Sequence, residues 1–210
     1  MDLIIVAKQP VAGRAKTRLI PAFGPEGAAA LAAAALADTL AAAAGSSADR
    51  VVVAFDGDPT GIVPHSMTVV PQVQGPFDHR LQAAWDHIGG PAFQIGMDTP
   101  QLTAADLDDA LARLGAPGTE AVLGPAEDGG WWGIGLLACP PETFTGIETS
   151  RPDTGARQLA RLGELGLATH VLATHRDVDE PADVAVVAAL APGGRFAEVA
   201  TALLARVAAS

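Results

Sequence analysis

The sequence predicts an α/β chain, a three-layer α/β/α sandwich in which helices cover both faces of a mostly parallel sheet. Two observations carry this expectation. Strand-like and helix-like segments alternate along the 210 residues, the order that α/β folds show. Most of the strand segments are short, continuous apolar runs without polar alternation, as strands buried on both faces require. A chain of this length is expected to form one domain, residues 1–210, burying roughly 70% of its unfolded surface.

The elements follow in order. Leu3-Ile4-Ile5-Val6-Ala7 is the first strand. A helix is expected over 25–45, with Pro25 and Glu26 suited to its first turn and Gly45 to its end. Strands are expected at 50–55 and 68–70, a helix at 78–88, and a strand at 92–96. The helix over 104–114 repeats Leu107, Leu111 and Leu114 at helical spacing, which marks them as core. Strands at 121–123 and 132–137, a helix at 154–165, a strand at 169–173 and helices at 181–190 and 196–208 complete the pattern. The last helix has two places to pack, the body or a second subunit, so a homo-oligomer stays open.

Composition narrows the function classes. A hydrophobic fraction of 49% and a charged fraction of 18% suit a globular protein and exclude disorder. The net charge of -11 speaks against nucleic acid as a partner. The single cysteine, Cys139, excludes an internal disulfide and a multi-cysteine metal site, and reads as a small buried hydrophobe. The start of the chain has no basic n-region, and the Ala-rich segment 27–45 carries Asp38, so neither a secretory signal nor a membrane span is expected. The cytoplasm is the expected location.

In parallel sheets ligands sit beyond the carboxyl ends of the strands, so the loops there are where chemistry is sought. Both lysines of this acidic chain lie in the first such loop, where Lys8, Arg14, Lys16 and Arg18 gather four cations around Pro10 and Gly13. Such a loop suits a small anion, with phosphate the natural candidate; a solvated basic turn is the plain alternative. It is not a Walker A loop, since no glycine stands directly before Lys16. Gly133-Ile134-Gly135 likewise matches a dinucleotide fingerprint only as text, because it occupies a strand followed by prolines.

Three acidic stations follow. In Gly96-Met97-Asp98-Thr99-Pro100, Asp98 ends a strand where it could hold Mg²⁺ beside substrate phosphates, or merely open a helix. In Asp177-Val178-Asp179 an extended chain points both carboxylates one way, which is costly unless a cation or basic group stands between them. The plain alternative has Asp179 capping the helix at Pro181 and Asp177 solvated. In Glu127-Asp128-Gly129-Gly130-Trp131-Trp132, glycines permit close approach of a ligand and an indole can floor a base or sugar; otherwise this is a tight turn with one tryptophan in the core. His79 beside Arg80 is a weaker candidate for an anion contact, with a surface role the alternative.

Lys8, Pro10, Gly13 and Lys16-Thr17-Arg18-Leu19, then Gly96-Met97-Asp98-Thr99-Pro100, Asp128-Gly129-Gly130, Ile134-Gly135-Leu136 and Asp177-Val178-Asp179 together resemble the nucleotide-diphospho-sugar transferase superfamily. The closer resemblance is to a bacterial family, DUF2064, often labelled glycosyltransferase-like. It implies a Rossmann-like sheet of the GT-A type. The basic loop and the aspartates also resemble the phospholactate/phosphoenolpyruvate guanylyltransferases. That resemblance implies a phosphate role for Lys8, Arg14, Lys16 and Arg18, and a metal role for Asp98, Asp177 and Asp179. Two departures stand out: paired tryptophans where Phe and another apolar residue are usual, and no Trp-Ser within 147–150.

The leading expectation is Mg²⁺-dependent nucleotidyl transfer, with Mn²⁺ as a substitute, from a nucleoside triphosphate to a small anionic acceptor. Lys16, Arg14 and Asp98 are the candidate catalytic residues. Lys8, Gly13, Arg18, Glu127, Asp128, Gly129 and Gly130 are the candidate binding residues. Two alternatives stay open. One is glycosyl transfer from a nucleotide sugar with Glu127 or Asp128 activating the acceptor; the other is a nucleotide-binding module without catalysis.

Overall fold

The computed structural model describes residues 1–209. Seven strands form one sheet: β1 (Asp2–Lys8), β2 (Arg50–Asp56), β3 (Thr68–Pro71), β4 (Ala92–Ile95), β5 (Ala121–Pro125), β6 (Trp131–Leu136) and β7 (Thr169–Val171), in the spatial order β3-β2-β1-β4-β6-β5-β7. Every neighbouring pair is parallel except those of β6, which runs antiparallel to both β4 and β5. The mostly parallel three-layer sandwich is therefore present, with one reversed strand. That reversal has a local cause. Only five residues link β5 to β6, enough for a hairpin and far too few for the crossover that a parallel neighbour needs.

Six helices, α1 (Ile20–Ala44), α2 (Phe77–Ile88), α3 (Ala104–Leu114), α4 (Thr154–Glu164), α5 (Pro181–Leu190) and α6 (Arg195–Ala208), pack around this sheet. Leu36 and Leu40 of α1 and Leu107 and Leu111 of α3 join Leu3, Ile5, Phe93 and Ile95 on one face. Leu81 and Trp85 of α2 and Leu162 of α4 join Ile4, Ala92, Ile134 and Leu136 on the other. Alternation along β1, β2, β4 and β5 sends their odd and even residues to these two cores. The last two helices pack chiefly on α1: Val184, Val187, Phe196 and Ala200 join Leu31 and Ala35 in a third cluster. The body of the same chain thus receives the last helix.

Helix α1 begins earlier than the sequence suggests. A 3₁₀ turn, Thr17–Leu19, runs into residues 20–23, and the chain breaks at Gly24, whose φ of 71° lies outside helical space, before continuing from Pro25. By length and composition the span Thr17–Gly45 could cross a membrane, yet more than half of its most apolar stretch is buried within this fold.

Candidate active site

The carboxyl ends of β1, β4 and β5, together with the start of β6 and the strap after β7, surround a cavity of about 950 Å³. The four polar stations read from the sequence all meet there. Lys8, Arg14, Lys16 and Arg18 line it, as do Asp98, Asp177, Asp179, Glu127 and Asp128.

Lys16 is the pivot. Its side chain is only 9% exposed, and its ammonium lies 3.0 Å from Asp98 Oδ1 and 3.7 Å from Asp179 Oδ1. Burial alone would lower its pKa, but the charge and hydrogen bond of Asp98, with Asp179 and Asp177 behind it, hold the ammonium above its ordinary value. Lysine 16 is thus the basic group that the closely spaced aspartates require. Its backbone is also unusual, with φ 47° and ψ 51°, a left-handed conformation that side chains other than glycine adopt at a cost of order 1 kcal/mol. The preceding glycine, Gly13, has φ 78°. Together these two residues fold the basic loop back over the strand ends.

The two aspartate stations are joined by the backbone. Val178 N–H donates to Asp98 C=O at 2.8 Å, and Val178 is buried in the core, so Asp177 and Asp179 on either side both turn to the cavity. Arg18 pairs with Asp179 and reaches Glu180 at 3.7 Å. Asp179 does not cap α5 through its side chain; Asp183 accepts from the backbone N–H groups of Asp179 and Glu180 at 3.1 and 2.7 Å. Nor does Asp98 open α3, which starts at Thr103 in a capping box with Asp106. Both acids are thereby left for the cavity.

Asp177 is half-buried. Desolvation and the nearby charge of Asp128 push its pKa up to about 6. The acidic loop is divided in its duties. Glu127 is held by Arg176 at 2.5 Å, and Arg176 also reaches Asp183 at 3.5 Å. Asp128 accepts from Gly130 N–H at 2.7 Å and keeps the rest of its carboxylate toward the cavity.

Gly129 and Gly130 serve a close approach of backbone rather than of ligand alone. Gly129 C=O accepts from Gly155 N–H at 2.8 Å. A Cβ on Gly129, whose φ is 89°, would stand 2.0 Å from Pro152 C=O, and one on Gly155 2.3 Å from Gly130 C=O. The two tryptophans separate as well. Trp132 is buried, donates to Ala173 C=O at 3.0 Å and meets His175 edge-on, so it props the strap that carries Asp177. Trp131 lines the cavity beside Phe144. His79 is exposed, whereas its neighbour Arg80 lines the cavity.

The cations are not equivalent. Lys16 and Arg18 are committed to protein carboxylates, while Lys8 and Arg14 make no ion pair or side-chain hydrogen bond among the described residues. Arg80, which sequence reasoning underweighted, adds a further positive charge. Its Nε donates to Gln72 Oε1 at 2.8 Å, and Gln72 Nε2 is itself fixed on Ala7 C=O and Ala54 C=O at 2.7 and 2.8 Å. Arg176 was also missed, although its place directly before Asp177 was visible. Gln72 gave no signal, since its role depends on two strands meeting.

Among the described residues, no three His, Cys, Asp or Glu side chains form a ready metal site. The donor set nevertheless suits a hard divalent cation held partly by substrate. Asp98 and Asp177 supply oxygen donors to the cavity, and Asp177, raised mainly by burial and then by the charge of Asp128, has further carboxylates beside it. Mg²⁺ commonly uses one or two carboxylates together with phosphate oxygens and water.

The sequence profile described as "Uncharacterized protein conserved in bacteria (DUF2064)" matches residues 28–151. No curated protein matches the chain. Among solved structures, a candidate nucleotide-diphospho-sugar transferase from Desulfovibrio desulfuricans G20 superposes with a TM-score of 0.85 at 24% identity, over 99% of this chain and 95% of that one. CMP:2-keto-3-deoxy-manno-octonic acid synthetase, complexed with CTP, gives 0.58 at 12% identity over 90% and 97% of the two chains. Rv0371c from Mycobacterium tuberculosis H37Rv, complexed with manganese, gives 0.50 at 18% identity over 85% and 91%. These likenesses establish a fold of the nucleotidyltransferase and GT-A kind.

Proposed function

The chain belongs to the DUF2064 family, and we propose that it transfers a nucleotidyl group from a nucleoside triphosphate to a small anionic acceptor, with a divalent cation such as Mg²⁺ assisting. The observation that carries this reading is the pair of uncommitted cations, Lys8 and Arg14, beside the Lys16, Asp98 and Asp177 cluster. A triphosphate brings about four negative charges; unpaired Lys and Arg can meet them without breaking any internal ion pair. The CTP complex of one structural neighbour and the manganese complex of another support the reading.

In the reaction an anionic oxygen of the acceptor attacks the α-phosphorus, the bond from that phosphorus to the bridging α,β oxygen breaks, and pyrophosphate leaves. Lys8 and Arg14 hold the phosphates, and the buried ammonium of Lys16 adds a fixed positive charge near the group that departs. Lys16 also keeps Asp98 in place, and Arg18 keeps Asp179 and its strap in place. A divalent cation held by Asp98 and Asp177 would supply charge neutralisation on the phosphates. Gly129 and Gly130 keep the acidic loop close to residues 152–155.

Lys8→Ala and Arg14→Ala are each expected to weaken triphosphate binding by about ten- to a hundredfold, the size of one charge-assisted phosphate contact. The unliganded protein should unfold at the same temperature in both variants, since neither side chain has a partner to lose. Titration calorimetry and thermal unfolding check the two halves.

Thermal unfolding against a panel of nucleoside triphosphates and nucleotide sugars, with and without Mg²⁺, tests the proposal itself. A ligand at 100 times its Kd adds about 2.7 kcal/mol of stability. Metal-dependent stabilisation by a triphosphate is expected. Stabilisation by nucleotide sugars alone would transfer the assignment to glycosyl transfer, for which Asp128 rather than Glu127 is the base, because Arg176 occupies Glu127. Asp98→Asn is expected to abolish the metal dependence of binding. Metal-independent triphosphate binding in the unaltered protein would instead fit a binding module.

A further inference from the structure

One buried carboxamide that lines the cavity has no hydrogen-bond partner among the described residues. Gln94, in the middle of β4, is 1% exposed, its Oε1 accepts no hydrogen bond, and no bond to its Nε2 exists among the described residues. Alternation along β4 puts it on the face of Ala92 rather than that of Phe93 and Ile95. Its cross-strand neighbours there are Ile4 and Ile134, both fully buried. A carboxamide between two isoleucines loses its hydration and regains nothing from the protein. An apolar residue would be more stable at this position unless a ligand supplies the missing bond.

Gln94 lines the same cavity as the basic loop, together with Val6, Leu81 and Trp131. The two ends of the cavity differ. Toward β2 and β3 it ends at Arg80, whose guanidinium lies 5.5 Å from the centre of the Phe77 ring. Toward β4 and β6 it is lined by Gln94 and Trp131. Two substrates that meet at the phosphate loop take opposite ends, and Arg80 draws the polyphosphate-bearing one toward β2 and β3.

We propose that Gln94 and Trp131 form the subsite for the uncharged, hydroxylated body of the acceptor, a sugar-like or polyol phosphate whose hydroxyls pair with the Gln94 amide while its apolar face rests on the Trp131 indole. A half-turn about the last side-chain bond lets the amide offer either N–H or C=O to a hydroxyl. Val6 and Leu81 exclude water from that contact. The inference rests on the reading of the cavity as a two-substrate phosphate-transfer site, and it assigns the acceptor class that this reading leaves open.

The test is Gln94→Met, which keeps side-chain length and removes the hydrogen-bonding groups. Thermal unfolding of the variant and the unaltered protein is compared alone, with a nucleoside triphosphate and Mg²⁺, and with glucose 1-phosphate, mannose 1-phosphate and glycerol 3-phosphate. The expected result has three parts: the unliganded variant unfolds roughly 2–8 °C higher, triphosphate stabilisation is unchanged, and stabilisation by at least one of the phosphates falls at least tenfold in apparent affinity. Trp131→Ala should weaken the same phosphate.

A lower unfolding temperature for Gln94→Met would make the side chain structural and overturn the proposal. So would loss of triphosphate stabilisation with the phosphates unaffected, since Gln94 would then read the nucleobase. Equal responses of both proteins to every phosphate would overturn it while leaving nucleotidyl transfer standing. Gln94-dependent binding of a sugar phosphate without any triphosphate binding would support the subsite and defeat nucleotidyl transfer.

Discussion

Lys16→Ala is expected to reduce turnover at least a hundredfold, the usual scale for removing one preorganised charge from a transfer site. The same substitution should lower stability by about 1–2 kcal/mol. Breaking a fully buried pair costs about 3–5 kcal/mol, but Asp98 and Asp179 are 43% and 35% exposed and water screens part of the loss. Alanine at this position inherits the left-handed backbone, so no relief of strain offsets the change. Sign and pH range follow from the raised pKa: the ammonium contributes stability at every pH below the ordinary lysine value of 10.5 and loses it only as pH rises through its higher folded value. Denaturant unfolding at neutral pH should therefore show a modest loss, and turnover a severe one. Lys16→Arg should keep part of the stability but little of the activity, since the longer planar fork cannot occupy a pocket that leaves the lysine side chain 9% exposed.

Gly129→Ala is expected to destabilise the protein by at least about 2 kcal/mol and to remove activity with it. Two costs combine. A φ of 89° lies where alanine is strained by roughly 1–3 kcal/mol, and the added methyl would sit 2.0 Å from the Pro152 carbonyl, which is backbone and cannot swing away as a side chain would. The loop carrying Glu127 and Asp128 must then part from residues 152–155 and forfeit the Gly155 to Gly129 hydrogen bond. A drop in unfolding temperature of several degrees, read by circular dichroism, would record this. Gly118→Ala, at φ 81° but with open space around its Cβ, is the control that isolates backbone strain from collision.

Much of the architecture was legible because its determinants are local. Continuous apolar runs such as Leu3-Ile4-Ile5-Val6-Ala7 can only be strands buried on both faces, and they define β1, β2 and β5 to within two residues at each end. Leu107, Leu111 and Leu114 gave α3 outright. Pro25 was legible as the start of the regular helix, because the chain breaks at Gly24 directly before it; the 3₁₀ turn Thr17–Leu19 and residues 20–23 were not, since they follow a left-handed Lys16 that reaches Asp98. The reversal of β6 was hidden in the length of the loop before it.

The site divides in the same way. Charge type and position at strand ends pointed to Lys8, Arg14, Lys16, Arg18 and the aspartates, and the fold gathers all of them. What each one does was not readable, because commitment depends on partners far along the chain: Arg18 is separated from Asp179 by 161 residues, and Glu127 from Arg176 by 49. Gln94 sat inside an apolar run and looked like one polar interruption in a strand. Only the pairing of β4 with β1 and β6 shows that nothing satisfies it.

The most direct test of nucleotidyl transfer is to follow phosphorus by ³¹P NMR while the protein is incubated with Mg²⁺, each nucleoside triphosphate, and the panel of sugar and polyol phosphates. The account predicts pyrophosphate together with a new resonance in which the α-phosphorus is joined to the acceptor, both absent with Lys16→Ala. Release of a nucleoside diphosphate from a nucleotide sugar, with every triphosphate left intact, would contradict it.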